Sequence, residues 1–182
     1  MPRTTTYVAL LRGINLGARN KVSMADLRDL FDALGAEDVR TYVQSGNVVF
    51  KSRVGNPAEL IKVVERRIRS DLGLSVTVLL RTKAEIAKVL GGNPFVESGR
   101  DPTKLHVTFL ADRPDRARVR DLEEREFGPD EHRVVGREVY LYCPHGYGRT
   151  KLNNAYLEKQ LGVAATTRNW KTVTNLVELA SA

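Results

Sequence analysis

Val39-Arg40-Thr41-Tyr42-Val43-Gln44-Ser45-Gly46-Asn47-Val48-Val49-Phe50 holds two short apolar runs around a polar break. Val39–Val43 and Val48–Phe50 are rich in β-branched and aromatic residues, which suit strands. Gln44-Ser45-Gly46-Asn47 supplies turn residues between them, so the stretch predicts a β-hairpin. Upstream, Met24, Leu27, Leu30, Phe31 and Leu34 recur at helical spacing behind Ser23-Met24-Ala25-Asp26. That start is a capping box with Asp in place of Glu, and Gly35 is a natural stop. Tyr7–Leu11 reads as a buried strand before this helix, and the 11-residue loop Arg12 to Val22 joins the two. Downstream, Asn56-Pro57 opens a helix whose apolar face is Leu60, Ile61, Val64, Ile68 and Leu72. Gly73 ends it, and Val76–Leu80 makes a fourth strand. The order is βαββαβ, the ferredoxin-like unit.

The rest of the chain repeats that order. Thr82-Lys83-Ala84-Glu85 starts a linking helix that Gly91-Gly92-Asn93-Pro94 breaks, and residues 97–103 are polar. Leu105–Leu110 is a strand and Pro114–Glu126 a highly charged helix. Glu131–Val135 and Glu138–Tyr142 pair across Gly136-Arg137. Leu152, Ala155, Tyr156 and Leu161 give a helix closed by Gly162, and Val163–Thr166 is the last strand. Asn169 caps a final helix bearing Trp170, Val173, Leu176, Val177 and Ala180 on one face. The expected fold is therefore α+β: two tandem ferredoxin-like βαββαβ halves with antiparallel sheets, a linking helix and a C-terminal helix. The expected division is 1–81, 82–103 and 104–182. The halves share element order and no residue-level identity is evident between them.

The net charge is +7, from 29 basic and 22 acidic residues, and 20 of the basic residues are arginine. Arginine suits bidentate phosphate contacts better than lysine. Residues 1–80 carry +4 and residues 81–182 carry +3, so there is no basic tail and any patch must be made by folding. An apolar fraction of 42% is enough for an ordinary core. The run Tyr7–Leu11 falls far short of the roughly 20 apolar residues a membrane span needs. Met1–Thr6 has no apolar stretch or cleavage pattern, so no signal peptide is expected. The single cysteine, Cys143, excludes an internal disulfide, and a cytoplasmic protein is the default.

Topology brings loops together. In a βαββαβ half, the loop after the first strand and the hairpin tip share one end of the sheet. Arg12, Asn15, Arg19 and Lys21 are thereby expected near Gln44, Ser45 and Asn47. In the second half, Pro144–Lys151 and Thr166–Asn169 both follow descending strands and share the other end. That cluster holds Arg149, Lys151, Thr167, Arg168 and Asn169, and neither cluster carries a carboxylate. Helices are expected to begin near Lys151 and Trp170, where free N–H groups and the helix dipole favour anions. Gly146 and Gly148 permit close backbone approach, although the P-loop spacing is absent. The competing reading gives Thr150 and Asn169 plain capping roles, and makes the first cluster a self-packed loop held by Asn15 and Gln44 hydrogen bonds.

Other chemistry is less well supplied. Tyr140 and Tyr142 share a strand face, where bases stack in RNA-binding domains of this fold, but the accompanying basic-Gly-aromatic pattern is missing. His106, His132 and His145 have no paired ligand spacing, so no metal site is expected. No close carboxylate pair stands out for acid–base work, and catalytic residues and cofactors stay unassigned.

Several of these segments form a recognisable set. Leu10-Leu11-Arg12-Gly13-Ile14-Asn15-Leu16-Gly17, Asn20-Lys21-Val22 with Met24, and Val39–Phe50 resemble motifs of a bacterial family of uncharacterised proteins, domain of unknown function 1697. Thr150-Lys151-Leu152-Asn153-Asn154, Leu161-Gly162 and Thr166-Thr167-Arg168-Asn169-Trp170 resemble its C-terminal motifs, with Thr150 where serine is expected in many relatives. The resemblance implies a tandem α+β fold and no activity. Three functions stay open from the residues: binding of a phosphate-bearing ligand, either a nucleotide or nucleic acid; an enzyme for a small anionic or phosphorylated substrate; and a homodimeric interaction protein that buries Tyr140, Tyr142 and Trp170.

Overall fold

A computed structural model of the protein describes residues 3–15, 18 and 20–182. The first βαββαβ run comprises β1 (Thr5–Arg12), α1 (Met24–Ala33), β2 (Glu37–Tyr42), β3 (Asn47–Ser52), α2 (Pro57–Leu72) and β4 (Thr77–Thr82). Its sheet has the order β2-β3-β1-β4, and every neighbouring pair is antiparallel. Strand alternation sends Tyr7, Ala9 and Leu11 to one face with Val48, Phe50, Val78 and Leu80. They meet Leu27, Leu30 and Phe31 of α1 and Leu60, Val64 and Ile68 of α2, which are the residues that the helical spacing selects. Val8, Leu10, Val49 and Leu79 alternate to the opposite face and are buried as well. The helix ends follow local chemistry. Ser23 Oγ accepts from Asp26 N, Asn56 Oδ1 accepts from Ala58 N, and Gly73 closes α2 in the left-handed conformation at φ 67°.

The chain continues with α3 (Lys83–Gly91), α4 (Pro94–Glu97) and a 3₁₀ turn at Pro102–Lys104. The second βαββαβ run is β5 (Leu105–Leu110), α5 (Arg116–Glu123), β6 (Glu131–Val135), β7 (Glu138–Tyr142), α6 (Asn154–Leu161) and β8 (Ala165–Asn169). α7 (Trp170–Ser181) ends the chain. The second sheet has the order β6-β7-β5-β8, again antiparallel throughout. Leu110, Val139, Leu141, Cys143 and Ala165 face Leu122 of α5 and Leu157 and Leu161 of α6. The fold is α+β with tandem halves of one topology. By packing, the chain divides into Met1–Lys88 with Asn175–Ala182, and Val89–Thr174. Asn175 Nδ2 donates to Tyr42 Oη at 2.9 Å, tying the C-terminal segment to β2 of its own unit.

Several element ends differ from the sequence reading, α5 for one stopping at Glu123 rather than Glu126, and two of the differences bear on the loops of the second unit. The last strand covers Ala165–Asn169 rather than Val163–Thr166, because a polar segment pairs there with β5, Arg168 opposite Val107. α6 begins at Asn154 and takes Asn153 as its cap, so Thr150 and Lys151 precede it. No helix among the described residues is long and apolar enough to cross a membrane.

The hairpin carries a further difference. β2 stops at Tyr42, and Val43 sits at φ 48° and is 49% exposed. Left-handed backbone costs a non-glycine residue about 1–2 kcal/mol, and asparagine tolerates it better than a β-branched side chain. Val43→Asn should therefore raise stability by about 0.5–1 kcal/mol. A higher urea midpoint at unchanged slope is the expected result. A midpoint at or below wild type would show that Val43 carries no strain.

Candidate functional site

In the first unit the β1–α1 loop and the hairpin tip do meet. Asn15, at φ 54°, donates from Nδ2 to Gln44 O at 2.6 Å and to Val22 O at 3.0 Å. Its Oδ1 accepts from Val22 N at 2.8 Å. Leu11 N donates to Gly46 O at 2.9 Å, so the hairpin is fastened to the end of β1. Asn47 is fully buried and donates from Nδ2 to Tyr42 O and to Ser45 Oγ, both at 2.9 Å. These polar side chains thus hold the loop and the turn, as the self-packed reading requires. Lys21, Gln44 and Ser23 line a shallow cavity of 330 Å³ beside Asn15. Arg12 lies on the sheet face it shares with Leu10, opposite Thr77, and does not line that cavity. Gly17 and Arg19 of this loop lie outside the described residues.

In the second unit the expected pairing of loops is incomplete in one respect and excessive in another. Arg149 and Lys151 line one cavity of 410 Å³ together with His145 and Gly146. The same cavity is lined by Glu126 and Asp130, from the connection between α5 and β6. The cluster therefore contains carboxylates, which the sequence reading excluded. The topology explains them. Glu131 pairs with Tyr142, so the segment entering β6 lies at the sheet end where β7 exits. Thr150 pins the two loops: its hydroxyl donates to Asp130 Oδ2 at 2.7 Å and accepts from Leu152 N at 3.1 Å.

Arg168 does not join them. Residue alternation on β8 puts it on the face opposite the helices, 7% exposed, with Nη1 donating to Thr166 Oγ1 at 2.7 Å and Thr167 O at 3.0 Å. Burial pushes its guanidinium down to about 10. Thr167 faces the helix side, 2.8 Å from Thr108 Oγ1, and donates to Asn154 Oδ1 at 3.1 Å. Asn169 caps α7, its Oδ1 accepting from Thr172 N at 2.8 Å. Of the residues expected at this end, Arg149 and Lys151 share a cavity, while Thr167, Arg168 and Asn169 have structural partners.

The tyrosines are also committed. Tyr140 is buried, donates to Val89 O at 3.0 Å, and burial raises its hydroxyl to about 12. The Arg100 guanidinium lies 5.0 Å above the Tyr142 ring and pairs with Glu131 at 2.7 Å. Trp170 is 9% exposed within the chain itself. Cys143 is buried and its thiol is raised by burial to about 11, which suits a core residue rather than a nucleophile. No group of three or more metal-ligating side chains occurs among the described residues.

Comparison with known proteins adds the family. A search of curated proteins finds no match. The structure of the conserved bacterial protein SP0830 from Streptococcus pneumoniae is similar over 98% of this chain and 99% of that one, at 26% sequence identity and a TM-score of 0.77. The family model described as "Protein of unknown function (DUF1697)" matches residues 4–140, and the chain belongs to that family.

Proposed function

We propose that the second unit binds a small phosphate-bearing ligand, of the size of a nucleotide or sugar phosphate, between its 126–130 and 145–151 segments. One observation carries this reading. Arg149 and Lys151 are exposed, line a single cavity of 410 Å³, and form no ion pair among the described residues. Cations that line a concave surface and form no ion pair are open to an anion, and arginine beside lysine offers both a planar fork and a mobile point charge. The backbone there is permissive, since Gly146 stands at φ 94° and Gly148 has open space beside it.

Thermal unfolding against AMP, glucose 6-phosphate, pyrophosphate, polyphosphate and short RNA tests the reading. A ligand at about 100 times its Kd adds roughly 2.7 kcal/mol, which raises the midpoint of a chain this long by roughly 5–10 °C. The double variant Arg149→Ala/Lys151→Ala should fold as wild type, because both side chains are exposed, and should lose about tenfold or more in affinity. Shifts that survive in the variant, or no shift with any probe, would refute the proposal.

A further inference from the structure

Resting on that reading, the cavity's other walls narrow the ligand. Glu126 and Asp130 line the same space as Arg149 and Lys151, yet no carboxylate oxygen of the described residues lies within 4.0 Å of either cation. The two charge types share the cavity without pairing. Asp130 has a fixed orientation, because one oxygen accepts the Thr150 hydroxyl at 2.7 Å. A carboxylate so placed repels a second phosphate and accepts hydrogen bonds from hydroxyl or amino groups. Phe127 and Pro129 add an apolar wall between these polar groups. Phe127 is itself braced edge-on by His132 at 5.2 Å and Tyr156 at 5.6 Å, so this wall is firm.

We infer that the site takes a phosphate monoester of a hydroxylated carbon skeleton, with its phosphate on Arg149 and Lys151 and its hydroxyls on Asp130 and Glu126. Inorganic phosphate, pyrophosphate and a nucleic-acid strand lack one or more of these complements. Inorganic phosphate offers the carboxylates only its own P–OH while bringing its charge close to theirs, and a polyanion is repelled by them.

Isothermal calorimetry on the whole chain decides the matter, using glucose 6-phosphate, AMP, inorganic phosphate and pyrophosphate. The better ester should bind about tenfold or more tightly than inorganic phosphate. In Glu126→Gln/Asp130→Asn that ratio should fall to about twofold, with inorganic phosphate bound as well as before or better. The amide oxygen that Asp130→Asn introduces would still accept from the Thr150 hydroxyl, so the loop keeps its pin. Anion binding that needs Arg149 and Lys151 but shows no ester preference, or a preference the carboxylate variant keeps, overturns this inference and leaves the phosphate site standing. Failure of all four probes overturns both.

Discussion

Gly46→Ala lowers the unfolding free energy by about 2–5 kcal/mol. Two penalties combine at this one position. Gly46 sits at φ 84°, where an L side chain is strained by about 1–2 kcal/mol. A Cβ there would also lie 2.7 Å from Ile14 Cδ1 and 2.9 Å from Leu11 Cβ. Neither neighbour can retreat easily, since Leu11 and Ile14 are 1% and 2% exposed. Overpacking of this kind costs about 1–3 kcal/mol more. The backbone contact cannot loosen to help, because the Gly46 carbonyl accepts from Leu11 N. Gly148→Ala is the control: it has open space and lacks a positive φ, so it should change stability by less than about 0.5 kcal/mol. Guanidinium unfolding of both variants checks the pair. Equal midpoints would mean that the hairpin tip and the β1 end are not packed as described.

The hairpin shows how far the sequence could be read. Val39–Phe50 declared two strands and a turn, and flanking helical spacing then fixed the element order. Val43 departs from that reading because its β-branched side chain argues for a strand, while its backbone leaves the ladder at φ 48°. β8 departs from it for the converse reason. Thr167, Arg168 and Asn169 look like loop residues, and only pairing with β5 makes them part of the strand. The candidate site was legible to the extent that topology alone gathers loops. Arg149 and Lys151 were found that way. Glu126 and Asp130 could have been found by the same rule applied to the third connection at that end. Roles for single polar residues were not legible. Asn15, Asn47 and Thr167 carry groups that could hold a ligand, and carbonyls or hydroxyls of the fold take them instead.

Arg168→Ala should cost about 2–4 kcal/mol and leave ligand binding in the second unit intact. The side chain is 7% exposed, so its removal deletes packed methylenes and takes a donor from Thr166 Oγ1 and Thr167 O. Its lowered value of about 10 still leaves it charged at neutral pH, so burial is a cost that those partners offset. Arg168→Met keeps the stem volume and should recover roughly half of the loss. A structural assignment also follows from the first unit, where Arg81 has the corresponding place. Arg81 lies opposite Val8 in the first strand as Arg168 lies opposite Val107, and each Nη1 donates to the preceding residue's carbonyl. Arg81 is 1% exposed. The two halves thus share a buried arginine at one register position, a correspondence that depends on pairing and is invisible in the unaligned sequence. Arg81→Ala should accordingly fall in the same range of loss, about 2–4 kcal/mol. Urea unfolding measures both, and a ligand-dependent thermal shift measured on Arg168→Met separates support from recognition. If the methionine variant folds well and loses the shift that Arg149 and Lys151 confer, Arg168 belongs to the binding site and not to the sheet.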